Sequence, residues 1–174
     1  MQSTAIRATG APALTGVGAE YIAYCRRRLT EEYLRKIERC LDALSEDDVW
    51  WRQHETDNSI GNLLMHLAGN VRQWIVTGLG GSADIRERQH EFSERNRLPK
   101  RLLLERLKDA LRQADTVLGR IDAGKLLEMR HIQKYDVTSL DAVSHVVEHF
   151  AGHLGQIIYI TKLRTGRDLK IYDL

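Results

Sequence analysis

Three histidines on two segments with a helical apolar period are the side chains of this sequence best suited to bind a metal. His149 and His153 lie four residues apart in one segment, so on a helix their rings project from the same face. His66 lies in the other segment. Three imidazole nitrogens from two neighbouring helices would bind a divalent ion and leave at least one coordination position open, as in catalytic zinc sites.

The position of each histidine on its helix separates these side chains from His145, which precedes His149 by the same four residues. Each residue turns a helix by about 100°. By that rotation His153 lies about 70° from the centre of the apolar stripe, His149 about 110° and His145 about 150°. His149 and His153 flank the core, whereas His145 faces further outward. The pair 149/153 is therefore favoured, and the pair 145/149 stays open as the alternative.

The same reasoning predicts a polar groove between two helix edges. His66 lies about 120° from the centre of its own apolar stripe, and Asn70 follows one turn later on the same side. A polar strip beside a hydrophobic core is what a binding site requires. We expect the groove to be lined by His66, Asn70, His149, His153 and Gln156.

Four long segments with a helical period must position these side chains. A polar connection over residues 82–98 is long enough to cross one end of a bundle and let the third helix run parallel to the second. We interpret residues 123–137 as a linker, and no strand alternation stands out. The fold class is therefore all-α, a four-helix bundle. Its helices are expected over about residues 19–44, 59–77, 99–122 and 138–164.

Composition places the chain among soluble globular proteins. Its 174 residues are 43% hydrophobic and 29% charged, with a net charge of +2, which argues against nucleic acid as a partner. No apolar run reaches the roughly eighteen residues that a membrane span needs. Cys25 and Cys40 would lie about 22 Å apart on one helix, which fits a reducing cytoplasm. We predict one cytoplasmic domain over residues 19–174, after a loose N-terminal tail over residues 1–18.

Two motifs resemble those of the DinB/YfiT superfamily. The run from His145 to Gln156 is similar to its His-x-x-x-His-x-x-x-His-x-Gly-Gln pattern, and the run from Ser59 to Trp74 is similar to its second-helix motif, in a branch without an assigned function. The resemblance covers about residues 19–166. It implies an up-down-down-up bundle with a long crossover between helices two and three. It also implies that zinc, nickel or a similar metal is bound by His66, His149 and His153.

The resemblance further implies a homodimer that acts on a small-molecule substrate. Relatives include enzymes that use low-molecular-weight thiols, as S-transferases or as a maleylpyruvate isomerase, and proposed hydrolases. Members often carry an additional histidine and an arginine beside the last ligand, where this sequence has Gly152 and Leu154. A role of those two residues in binding an anion or a thiol cofactor does not carry over.

Two functions are open on this basis. The first is a metal-dependent enzyme, a thiol-dependent S-transferase or a hydrolase, since an ion held by three neutral imidazoles can lower the pKa of a bound water or thiol. Arg52 and Arg72 are candidates for a basic pocket, and Trp50 and Trp51 for covering a bundle end or lining the substrate pocket. Candidate hydrogen-bond partners of the ligand rings are Asp57, Asn70, Glu148 and Gln156.

The second function is a non-catalytic bundle, stabilised by a metal or free of it, that acts through its surface. Small side chains on the fourth helix would let another helix approach closely, within the chain or in a dimer. They are Ser144, Ala151, Gly152 and Gly155.

Overall fold

Apolar residues spaced three and four apart form helices over most of the chain. The computed structural model describes residues 13–171. Its helices are α1 (Ala13–Arg27), α2 (Leu34–Ala43), α3 (Glu46–Val49), α4 (Ile60–Val71), α5 (Arg88–Ser93), α6 (Lys100–Leu118) and α7 (Ser139–Thr165). The π-helical segment Arg28–Tyr33 joins α1 to α2, Arg72–Thr77 extends α4, and a 3-10 turn covers Ala123–Lys125.

The predicted helical class is confirmed in this coarse form, while the order of helices in a bundle stays a prediction. The first helix begins at Ala13, so residues 13–18 of the predicted tail are helical; residues 1–12 lie outside the described part of the chain. Pro99, where the third helix was expected to begin, is the residue that precedes α6. That helix ends at Leu118, four residues before the predicted end.

The interpretation of residues 123–137 as a linker was wrong, because they contain most of a β-hairpin. Strand β1 (Met129–Ile132) pairs antiparallel with β2 (Tyr135–Thr138). The turn residue Gln133 has a φ of 58°, in the left-handed region that two-residue hairpin turns use. Within β1 only Ile132 is buried, so no alternation marks the strand in the sequence.

Both helices that carry the histidines begin with a capping box. Thr138 accepts a hydrogen bond from the Asp141 amide at 3.0 Å, and Asp141 Oδ2 accepts one from the Thr138 amide at 3.1 Å. Ser59 and Asn62 do the same at the start of α4. At the other end of α7, Gly166 has a φ of 63° and provides the left-handed cap. These caps fix the two ends of α7, which is one uninterrupted helix of 27 residues.

The core lies where α4 packs against α6 and α7 and where α2 packs against α7. Phe150 is fully buried and stacks on Tyr33, with 5.6 Å between ring centroids. Trp50 is buried beside Gly61, where a Cβ atom would lie 2.8 Å from the indole, and its Nε1 donates to the Leu98 carbonyl at 2.9 Å. No described helix has the length and hydropathy that crossing a bilayer requires. The cytoplasmic location stays a prediction.

Thr138→Ala is expected to lower the free energy of unfolding by about 1 kcal/mol, because it removes the oxygen that accepts the Asp141 amide. Urea denaturation measures the change. The control is Thr116→Ala on the exposed face of α6, where the hydroxyl donates only to the Arg112 carbonyl of its own helix; we expect a change within about 0.5 kcal/mol there. Equal stabilities of the two variants would contradict the cap.

Candidate metal centre

The structure brings together the three histidines that the sequence singles out. The candidate ligand atoms of His66 on α4 and of His149 and His153 on α7 lie within 4.8 Å of one another. His66 Nε2 and His149 Nε2 are 2.8 Å apart, and the His153 ring stands edge-on to the His66 ring with 5.0 Å between centroids. In this group His66 is buried and the two histidines of α7 are half-buried. One side of the cluster is therefore accessible from the protein surface.

The histidines of α7 are held in the neutral form. Burial, followed by the charges of neighbouring histidines and Arg86, lowers the pKa of His149 to about 3. Burial also lowers the pKa of His153, although the hydrogen bond to Gln156 opposes the shift. Neutral imidazole is the form whose lone pair binds a metal, so both rings are ready to act as ligands at neutral pH.

A buried carboxylate fixes the His66 ring. His66 Nδ1 lies 2.9 Å from Glu91 Oε2 and 3.1 Å from Arg86 Nη2; because a carboxylate can only accept, Nδ1 donates to Glu91, and in the neutral tautomer Nε2 keeps the lone pair. Arg86 donates its Nε and Nη2 to the two oxygens of Glu91, both at 2.7 Å. Burial raises the pKa of Glu91, but hydrogen bonds from Arg86 and His66 outweigh it and hold the pKa below its usual value. Glu91 is therefore an ionised acceptor.

The His153 ring is fixed in the same way by a residue of its own helix. Its Nδ1 donates to Gln156 Oε1 at 2.9 Å, which leaves Nε2 without a proton. Gln156 follows His153 by three residues, so the two side chains lie on neighbouring turns of one face. The predicted contact of Gln156 with one of the candidate ligand rings is confirmed.

The facing nitrogens of His66 and His149 lie at hydrogen-bond distance. Because Glu91 holds the proton of His66 on Nδ1, the Nε2 atom presents a lone pair to His149 Nε2 at 2.8 Å. At that distance the two nitrogens need a proton or a cation between them. Three imidazoles, two of them oriented by a hydrogen bond on the opposite ring nitrogen, are a donor set typical of divalent transition metals.

The comparisons place this site in a family. A family model described as "Protein of unknown function (DUF1572)" matches residues 16–173. The chain belongs to the DUF1572 family. No curated protein matches it.

In this DUF1572 protein, Gly69 makes room for the ion pair that holds His66. Gly69 follows His66 by one turn of α4, and a Cβ atom at this position would overlap Glu91 Oε1 and lie 2.9 Å from Arg86 Nε. Glycine in a helix interior is unfavourable, and here the close approach of a buried ion pair explains it. Helix α4 and the connection that contains Arg86 and Glu91 therefore touch at Gly69.

His145 stays outside the cluster. Its Nε2 accepts a hydrogen bond from Asn70 at 3.3 Å, and its ring lies 4.1 Å from the Trp74 ring, centroid to centroid. It stacks on His149 with 5.4 Å between centroids instead of joining the three converging rings. The geometry thus favours the pair of His149 and His153, as the helical wheel does.

The remaining predicted partners of the ligand rings lie elsewhere. Asn70 bonds to His145, Asp57 accepts from the His54 amide at 2.9 Å, and Glu148 is exposed. Arg72, a candidate for a basic pocket, is paired with Asp109 of α6. None of these four residues forms a hydrogen bond or ion pair with the three candidate ligands in the part of the chain that the structure describes.

Three residues of the polar connection over residues 82–98 contribute to the DUF1572 site and were not predicted from the sequence. Glu91 and Arg86 hold His66, and the Phe92 ring lies 4.7 Å from the His66 ring, centroid to centroid. Asn62 at the start of α4 donates to the Glu91 carbonyl at 2.9 Å and so fixes α5 on α4. One available signal was Phe92, an aromatic residue in a mostly polar stretch.

Gly69→Ala is expected to destabilise the protein by about 1–3 kcal/mol, because the added methyl group must displace the buried ion pair of Arg86 and Glu91. Gly152→Ala in α7 is the matched control: its Cβ meets open space, so this variant should gain up to about 1 kcal/mol of helix stability. Both values come from urea denaturation. Stabilisation by both substitutions would rule out the close approach at Gly69.

Proposed function

We propose that this DUF1572 protein is a metal-dependent enzyme whose divalent ion, zinc or nickel, is bound by His66, His149 and His153. The observation that carries the proposal is the convergence of these side chains within 4.8 Å. The hydrogen bonds of Glu91 and Gln156 support it, since metal-binding histidines almost always donate their second ring N–H to a fixed acceptor.

The reaction that we propose is a thiol-dependent S-transfer or a hydrolysis on a small molecule, with a low-molecular-weight thiol as candidate partner. A divalent ion bound by three neutral imidazoles retains its positive charge and can stabilise the anionic form of a water or thiol. The protein's own contribution is orientation. Glu91 and Arg86 hold the buried ring of His66 in place, Phe92 covers it, and the half-buried rings of α7 leave an approach for substrate.

A non-catalytic bundle that acts as a homodimer is the second candidate. Ala151, Gly152 and Gly155 are exposed on α7, and a Cβ atom at either glycine would have no neighbour within 4 Å. A helix of a second copy could approach this face closely. A dimeric enzyme would use the same face, so this observation supports dimerisation more than it supports a non-catalytic role.

We also propose that the chain shares the up-down-down-up four-helix bundle of the DinB/YfiT superfamily. His66 contacts His149, whereas Asn70 contacts His145, an order that supports antiparallel packing of α4 and α7. Contacts between α6 and the segment that continues α4 move towards the carboxyl end of both together, which supports parallel packing of α4 and α6. They run from the ion pair of Arg72 with Asp109 to the approach of Gly80 to Val117.

Elemental analysis of protein purified without a histidine tag tests the metal centre. We expect about one divalent ion per chain in the wild type, and its loss in His66→Ala, His149→Ala and His153→Ala. His145→Ala is the matched control and should keep the ion, since its ring lies outside the cluster. Absence of metal, with none taken up from added zinc or nickel, would overturn the proposal. If His145→Ala loses the ion and His153→Ala keeps it, the metal would be bound by the alternative pair His145 and His149.

Glu91→Gln is expected to weaken metal affinity by about 10- to 100-fold, because the amide still accepts from His66 but lacks the charge that Arg86 neutralises. Competition with a chromophoric chelator measures the affinity. Glu148→Gln makes the same chemical change at an exposed position of α7 and should leave it unchanged. An affinity of Glu91→Gln equal to that of the control would limit Glu91 to a role in folding.

A further inference from the structure

A cavity of about 390 Å³ lies beside the candidate metal centre, between residues 51–58 and the second half of α7. Gln156, whose side chain holds His153, lines it. Leu63 lines it from α4, one helical turn before His66. The cavity thus begins next to the ligands on both helices. Its volume falls within the range of about 300–1,000 Å³ that small-molecule sites occupy.

One wall of this cavity contains a cation without a counter-ion. Arg52 Nη2 donates to Asn62 Oδ1 at 3.2 Å, whereas the buried Nη1 has no hydrogen-bond partner. Within residues 13–171 Arg52 forms no ion pair. The guanidinium carries its charge at neutral pH, and a buried donor of a charged group is costly when it stays unpaired. An anion at this position would satisfy it.

The charges around Arg52 leave room for an anion. Burial and the charge of Arg95 lower the pKa of Arg52, while Glu55 acts in the opposite direction without forming a salt bridge to it. Asp57 also lines the cavity, but its Oδ2 already accepts the His54 amide. Among the polar side chains that line this cavity, Arg52 is the one with a buried donor atom left without a hydrogen-bond partner.

Apolar and aromatic side chains form half of the remaining lining, and the polar half is Gln53, Thr56, Asp57, Asn58 and Gln156. Trp51 and Ile160 line the cavity, together with Tyr159 and Leu163, which are 68% and 54% exposed and so could cover a ligand. A single unpaired cation beside these apolar and aromatic side chains suits a molecule with one anionic group and a hydrocarbon or aromatic body. Arg52 also borders a second cavity, next to Arg95, but that cavity shares no residue with the histidine centre.

We infer that this cavity binds a small organic anion, with its carboxylate or phosphate group on Arg52 and its apolar body against Trp51 and Tyr159. Bound there, the molecule extends towards Gln156 and the histidine centre. That the anion is the substrate rests on the proposed function. That it binds in the cavity does not, because the walls are formed by residues other than the three histidines.

Isothermal titration calorimetry with three probes of one shape tests this inference. Benzoate and phenyl phosphate carry the anionic group, and benzamide is the neutral counterpart of benzoate. We expect wild-type protein to bind the better of the two anions at least about tenfold more tightly than benzamide, since a charge-assisted hydrogen bond to Arg52 is then formed. The tighter anion identifies a carboxylate or a phosphate as the group recognised.

Arg52→Gln should weaken anion binding by about tenfold or more, and Arg52→Lys, which keeps the charge but not the planar fork, by less. Arg106→Gln is the control. It makes the same change in net charge at an exposed position of α6 and should leave binding unchanged. Circular dichroism verifies that each variant is folded. If Arg52→Gln does not fold, the comparison of benzoate with benzamide on wild-type protein still decides the question.

His66→Ala separates this inference from the proposed function. The variant should lose the metal and keep its affinity for the anion, because the cavity binds it independently of the ion. Anion binding that is lost in His66→Ala but kept in Arg52→Gln would assign the anion to the metal and overturn the inference. Equal affinity for benzoate and benzamide, or no heat from any probe, would overturn it as well.

Discussion

The buried ion pair between Arg86 and Glu91 is the interaction on which the histidine centre depends. A buried charge is costly unless it is paired and hydrogen-bonded, and here two bonds from Arg86 and one from His66 satisfy the carboxylate. His66 acquires its tautomer from this arrangement. The crossover after α4 must therefore fold back onto that helix before its histidine can present Nε2, so the crossover is part of the site.

The second constraint is the continuity of α7. Successive residues turn by about 100°, so His149, His153 and Gln156 share one face only while the helix has no kink. The capping box at Thr138 and the left-handed Gly166 hold the ends of this helix. Burial lowers the pKa of His149, and repulsion between protonated imidazoles this close would lower it further. Both effects keep the ring neutral.

What the sequence predicted correctly is local. Helical periods, the shared face of His149 and His153, and the contact of Gln156 with His153 all follow from spacing along a single helix. The sequence did not predict the short elements or the contacts between residues far apart in the chain. Helix α5 and strand β1 bury too few side chains to show a period, and Glu91 meets His66 across a separation of 25 residues. Gly69, a glycine inside a helix one turn after a candidate ligand, was the residue that indicated a close neighbour there.

Asn62 connects the two halves of the site. Its side chain is fully buried: Nδ2 donates to the carbonyls of Glu91 and Glu94, and Oδ1 accepts from Arg52 Nη2 and from Ser59 in the capping box. One amide thus sets the position of the helix that orients His66 and also holds the guanidinium of the neighbouring cavity. Displacement of either element would strain the same buried hydrogen bonds. The histidine centre and the cavity are therefore mechanically linked through the Asn62 side chain.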